Sequence, residues 1–273
     1  MSPDVAFILT LVLRMAVTAA FVIAASIITE RSGAVIGALV ATLPVSAGPS
    51  YLFLALDHDA AFIATSALAS LPLNAATTFM ALIYVLMAQR HRMLASLAAG
   101  ISVWFVFAVL VRTFHWSLTA GIAVNVIAFV VCLPLVQRFR AAKMPLITRR
   151  WFDIPLRASL VATVVATVVT LSNSVGPTIS GIIALFPVVF TSLILILHPR
   201  IGGPGTAAVL ANGLWGLIGF ACAIALLSLA APHLGAAAGL SLALAVCVAW
   251  NLGLWGFGRY RLTKARLRAA SPP

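Results

Sequence analysis

Two stretches of the chain put proline inside an otherwise apolar run. One reads Leu43, Pro44, Val45, Ser46, Ala47, Gly48, Pro49, Ser50; the other reads Phe186, Pro187, Val188 and continues to Thr191 and Ser192. Proline lacks an N–H and leaves the carbonyl four residues earlier without its helical donor. The backbone from Ala41 to Gly48 is therefore expected to offer polar groups to a solute, an ordinary proline kink being the plainer alternative. Arg14 is a different kind of candidate, a lone charge in the middle of the apolar run 5–28. Placing it at bilayer depth costs about 2.5–3.5 kcal/mol on insertion scales, so it should meet an anionic substrate group or a carboxylate, with snorkelling to the headgroups as the structural alternative. Asn74 and Thr78 stand four residues apart and share a helix face, which Ser66 and Ser70 extend. The candidate substrate-binding set is thus Arg14, Pro44, Ser46, Gly48, Ser50, Asn74, Thr78 and Pro187.

Other chemistries are disfavoured. Glu30 falls at the inner end of the first apolar run, Asp57 and Asp59 flank the outer loop and Asp153 lies in the connector, so a cation antiporter built on buried carboxylates is disfavoured. Asp57, His58 and Asp59 read as a solvated turn, and Cys132, Cys222 and Cys247 are too far apart for a metal or redox pair. No phosphate loop, nucleophile elbow or metalloprotease helix is present. No catalytic residue, metal or cofactor is expected. Gly213, Gly216 and Gly219 read as helix-packing positions, and Gly202 to Gly205 as a flexible link.

The elements that must position these residues follow from composition. Of 273 residues, 63% are apolar and only 22 are charged, 17 basic and 5 acidic. A soluble domain carries about 25% charged residues, so this composition excludes a soluble enzyme or a nucleic-acid module and calls for lipid as solvent. Apolar runs fall at 5–28, 34–56, 60–88, 93–111, 117–136, 156–172, 177–197, 206–230 and 234–257. They are long and unalternating, so the expected fold is an all-α polytopic membrane protein with about nine transmembrane helices. With the N-terminus outside, fifteen of the seventeen basic residues lie on the cytoplasmic side, leaving only Arg14 and Arg112. The net charge of +12 then records topology and contact with anionic lipid rather than a nucleic-acid partner.

An ungapped shift of 143 residues superposes Arg14 on Arg157, Gly33 on Gly176, Ile36 on Ile179, Ala41 on Ala184, Pro44 on Pro187 and Val45 on Val188. Ten of the 41 positions in 14–54 are identical under this shift. Helix one would run inward and helix six outward, so the copies are inverted, five helices in the first and four in the second. With the second helix of each copy broken at proline, the chain resembles inverted-topology-repeat secondary transporters, a likeness of organisation covering about 5–257. Arg157, at the cytoplasmic start of helix six, is read as snorkelling.

The expected organisation is a first repeat at 1–136, a basic connector at 137–155, an inverted repeat at 156–257 and a basic tail at 258–273. The expected function is transport of a small anionic or zwitterionic organic solute by alternating access in a cell inner membrane, with the C-terminus cytoplasmic. The alternatives are a non-transporting scaffold or subunit and, less favoured, an intramembrane lipid-modifying enzyme. Membrane lipids and the solute are the expected partners, and a homodimer is allowed.

Overall fold

The protein is described by a computed structural model covering residues 3–31, 44, 46–140 and 150–270. Gly33, Ile36, Ala41 to Leu43, Val45, Lys143 and Arg149 lie outside the described residues, as do the side chains of Asp4, Glu30, Arg31 and 261–270. Eight helices are described: α1 (Pro3–Arg31), α2 (Ala47–Asp57), α3 (Ala60–Met87), α4 (Met93–Thr113), α5 (Leu118–Gln137), α6 (Asp153–Ala184), α7 (Val188–Leu234) and α8 (Ala236–Ala270). Seven of them are long and apolar enough to cross a membrane. The chain is an all-helical, multi-pass membrane protein.

The expected nine spans are not all among the described residues: of the run 34–56 only 44 and 46–56 are described, as the approach to and body of α2 (Ala47–Asp57). The three runs between 156 and 230 are carried by only two continuous helices, each interrupted by one non-helical glycine. A straight 47-residue helix such as α7 would be about 70 Å long, more than twice the roughly 30 Å hydrocarbon core. Gly202 resolves this by taking φ 73 and ψ 174, a conformation that redirects the chain and that only glycine adopts without strain. Gly176, at φ 76 in α6, does the same just before Pro177. The tail expected to leave the membrane at 258 remains helical to Ala270.

Local sequence sets several helix starts. Asp59 accepts a hydrogen bond from Phe62 N (2.8 Å) to cap α3, and Ser117 accepts one from Ala120 N (3.1 Å) to cap α5. Helix α3 is the centre of the molecule, with 78% of its span buried. Its stripe of Ser66, Ser70, Asn74 and Thr78 explains why: facing lipid, these groups would find few partners. It packs on α4, α5, α6 and, most extensively, α7. The main core gathers Leu54, Ile63, Leu71, Met80, Trp104, Ile194 and Leu210, while Val22, Phe53, Val161, Val165 and Val188 form a second cluster joining α1, α2, α6 and the start of α7. The belt of exposed Phe7, Leu9, Val12, Leu13, Val17 and Phe21 on α1, and of Ile122, Val126, Ile127 and Val130 on α5, faces lipid.

Candidate functional site

A cavity of about 210 Å³ lies where the start of α2 and the junction of α6 with α7 approach α3 and the second half of α7. On one side it is lined by Pro44, Ser46 and Ala47, where the chain enters α2; on the other by Ala184 to Phe190, where α6 ends and α7 begins. The break at Pro187 is sharp. Leu185 N–H donates to Gly181 O and Ile182 O (3.3 and 3.2 Å), Pro187 takes φ −77 and ψ 55, and α7 opens at Val188. The first turn of a helix has N–H groups with no helical acceptor; that of Val188 is met locally by Phe186 O (2.7 Å), and the helical ladder begins with Thr191 N–H donating to Pro187 O (2.9 Å). Val189 and Phe190, between them, both line the cavity.

The opposite wall is Asn74 and Thr77 of α3 with Gly213, Gly216, Leu217 and Phe220 of α7. Asn74 is 1% exposed, and its amide orientation is fixed by its neighbours. Asn125 donates both amide hydrogens to carbonyls, Leu71 O (2.7 Å) and Gly121 O (2.9 Å), so its Oδ1 must accept; it accepts from Asn74 Nδ2 at 2.8 Å. Asn74 Nδ2 also donates to Leu217 O (3.1 Å), another group that can only accept. Both hydrogens of Asn74 are thereby committed, and its Oδ1 has no hydrogen-bond partner. Thr77 gives its own hydrogen to Leu73 O (3.0 Å).

Of the eight residues singled out from sequence, four meet here: Pro44, Ser46, Asn74 and Pro187. The other four do not line this cavity. Thr78 is turned into the helix, its hydroxyl donating to Asn74 O (3.1 Å). Ser50 is fully buried and donates to Ser46 O (3.2 Å). Gly48 lines a larger neighbouring cavity of about 550 Å³ between α1, α2, α7 and α8, which shares Pro44, Ala47 and Phe220 with the first. Arg14 lines neither. Its guanidinium is paired with the carboxylate of Asp57 at the end of α2, with Nη2 2.6 Å from Oδ1, and lies 5.5 Å from the Phe53 ring. Between the two readings of Arg14, the carboxylate partner is the one realised. Arg14→Asp is accordingly expected to lower the melting temperature and Arg14→Asp/Asp57→Arg to restore much of it, as thermal unfolding in detergent would report.

Several lining residues were not picked from sequence. Thr77 was visible as a polar residue in an apolar helix. Gly216 was taken for packing, yet no atom lies within 4 Å of where a Cβ would stand. Asn125 carries the orienting role through contacts 51 and 54 residues away in sequence, which no local pattern reveals. Among the described residues, the lining has no charged side chain and no three His, Cys, Asp or Glu gather closely enough to hold a metal. No protein-family model, curated protein or solved structure matches this chain.

Proposed function

We propose that the protein is a secondary transporter of a small organic solute, working by alternating access between two inverted repeats, with the 210 Å³ cavity as its site. The observation that carries this reading is the make-up of the lining under the 143-residue shift. Pro44 and Pro187, Ser46 and Val189, Ala47 and Phe190, Asn74 and Leu217, and Thr77 and Phe220 are all such pairs, and both members of each line the one cavity. Asn74 and Leu217 are joined by a hydrogen bond across that separation of 143. Positions related by a two-fold axis meet each other only near the axis, and this is where transporters of the inverted-repeat kind hold their cargo. The packing of α1 on α6 and of α3 on α7 pairs the same counterparts.

Asymmetry between the halves supports the alternation. The larger cavity runs from the site along α1, α2, α7 and α8, and Cys247 of α8 is in its wall. The counterpart of Cys247 is Trp104, which is 2% exposed and stacked edge-on against Phe186 (5.4 Å) and Phe105 (5.5 Å). Both residues are buried, Cys247 at 3%, but a cavity of about 550 Å³ lies against Cys247 whereas an indole stands at its counterpart. In our reading of the charge distribution the side with the larger cavity faces outward, the nine crossings begin outside, and the tail is cytoplasmic. A C-terminal green-fluorescent fusion should then be bright and a C-terminal alkaline phosphatase fusion inactive; the reverse pair of results overturns the orientation. A scaffold without transport gives no reason for two helix breaks to share a cavity with a committed asparagine. Counterflow of labelled metabolites in proteoliposomes tests the proposal, which falls if a broad panel of small amino acids, amides, organic acids and polyols gives no exchange above protein-free vesicles.

A further inference from the structure

Resting on the reading of this cavity as the transport site, we infer that its cargo has zero net charge and pairs an N–H donor with an adjacent oxygen acceptor on a small apolar body. A neutral amino-acid zwitterion and an aliphatic amide share that chemistry. Three observations lead here. The first is that Asn74, 1% exposed, can offer the cavity only an acceptor, because Asn125 and Leu217 O hold both of its amide hydrogens. A free carboxylate has no hydrogen to give Oδ1 and would face a like partial charge across a dry wall. A donor N–H satisfies it, and an unmet buried carbonyl is costly.

The second is the pair of helix ends. The cavity receives the C-terminal end of α6 at Ala184 and Leu185 and the N-terminal turn of α7 at Val189 and Phe190. These ends carry opposite partial charges, carbonyls on one and N–H groups on the other, so their fields largely cancel for a monopole and favour a group with separated donor and acceptor. The third is charge itself. Arg14, the cation that could have neutralised an anion, is engaged with Asp57, and the lining has no charged side chain among the described residues. Moving a net charge into such a lining without a counter-ion is strongly unfavourable. The volume, about 210 Å³, equals roughly seven waters at ~30 Å³ each, which suits a body of amino-acid size.

Valine, isovaleramide and isovalerate test the inference because they have similar branched bodies and carry, in turn, a zwitterion, a neutral amide and an anion. Binding to the purified protein is read by ligand-induced thermal shift. Valine or isovaleramide should bind at least ten times more tightly than isovalerate, and which of the two leads identifies the source of the donor. Asn125→Ala frees the Asn74 amide to turn its NH₂ into the cavity and should shrink that preference by raising isovalerate affinity, an effect a merely structural asparagine would not give. If Asn125→Ala does not fold, the three ligands on the native protein still decide. Isovalerate binding as tightly as the better neutral probe, or neither neutral probe binding, overturns the inference. Counterflow separates the two levels: a neutral preference without exchange removes transport and keeps the cargo chemistry, whereas exchange of isovalerate alone keeps transport and removes the cargo chemistry.

Discussion

Gly216→Leu is expected to abolish solute exchange while the protein still folds. The reason lies in the space before this residue: Gly216 lines the central cavity, and a Cβ there meets nothing within 4 Å. Four added heavy atoms, at about a water's ~30 Å³ each, take over half of a cavity of about 210 Å³. The backbone of α7 at this point is regular helix, so the substitution also removes a residue with poor helix propensity, worth about 1 kcal/mol in aqueous hosts. Thermal unfolding should be unchanged or slightly raised, and counterflow should fall by at least about a hundredfold, the ~2.7 kcal/mol that excluding a bound ligand readily supplies. Retained exchange in a well-folded Gly216→Leu protein would place the site elsewhere. Gly213→Leu is a poorer choice, since its Cβ would stand 3.4 Å from the Phe190 ring and disturb the wall itself.

Exchanging Trp104 and Cys247 should reverse which face of the protein is open. Trp104 puts an indole at the position whose counterpart, Cys247, is a small buried side chain bordering the larger cavity. Trp104→Cys alone removes a fully packed indole and should cost stability in the range of about 3–5 kcal/mol seen for large-to-small core changes. Cys247→Trp puts an indole into a cavity of about 550 Å³ that has room for it. With Cys132 and Cys222 replaced by Ala, each protein carries one thiol, and a membrane-impermeant methanethiosulfonate applied to either side of vesicles reports its exposure. Cys247 is 3% exposed, so its modification should be slow but faster from the outside than from the cytoplasmic side, and the thiol at position 104 in the exchanged protein should show the opposite preference. Reaction from the same side in both proteins would show that these residues do not set the conformational bias.

Much of this architecture was legible because its signals are local. Apolar runs, the proline at 187 and the glycine-rich link at 202–205 each act on their own turn of backbone, so sequence alone locates most helices and the joint between α6 and α7. Asn74 was legible as a polar residue in an apolar helix. Arg14 was not, because cavity and carboxylate both suit a buried cation, and the choice depended on Asp57, 43 residues away and across an intervening helix end. Gly216 was misread for a related reason: a glycine in a membrane helix permits either close packing or empty space, and only the neighbour decides. Positive-φ Gly176 and Gly202 each kink a long helical stretch between two segments, at places that fall between the apolar runs 156–172, 177–197 and 206–230.

The two ion pairs have a further consequence for assembly. Arg14 on α1 pairs with Asp57 at the end of α2, and Asp153 at the start of α6 pairs with Arg200 before the Gly202 turn, with Nη1 2.7 Å from Oδ2. The order of signs along the chain is reversed between the two pairs. Exchanging partners between them would set Arg14 beside Arg200 and Asp153 beside Asp57, like charges that repel. Four side chains thus hold α1 to the end of α2 and α6 to the turn in α7, and they penalise the helix docking in which these partners are traded.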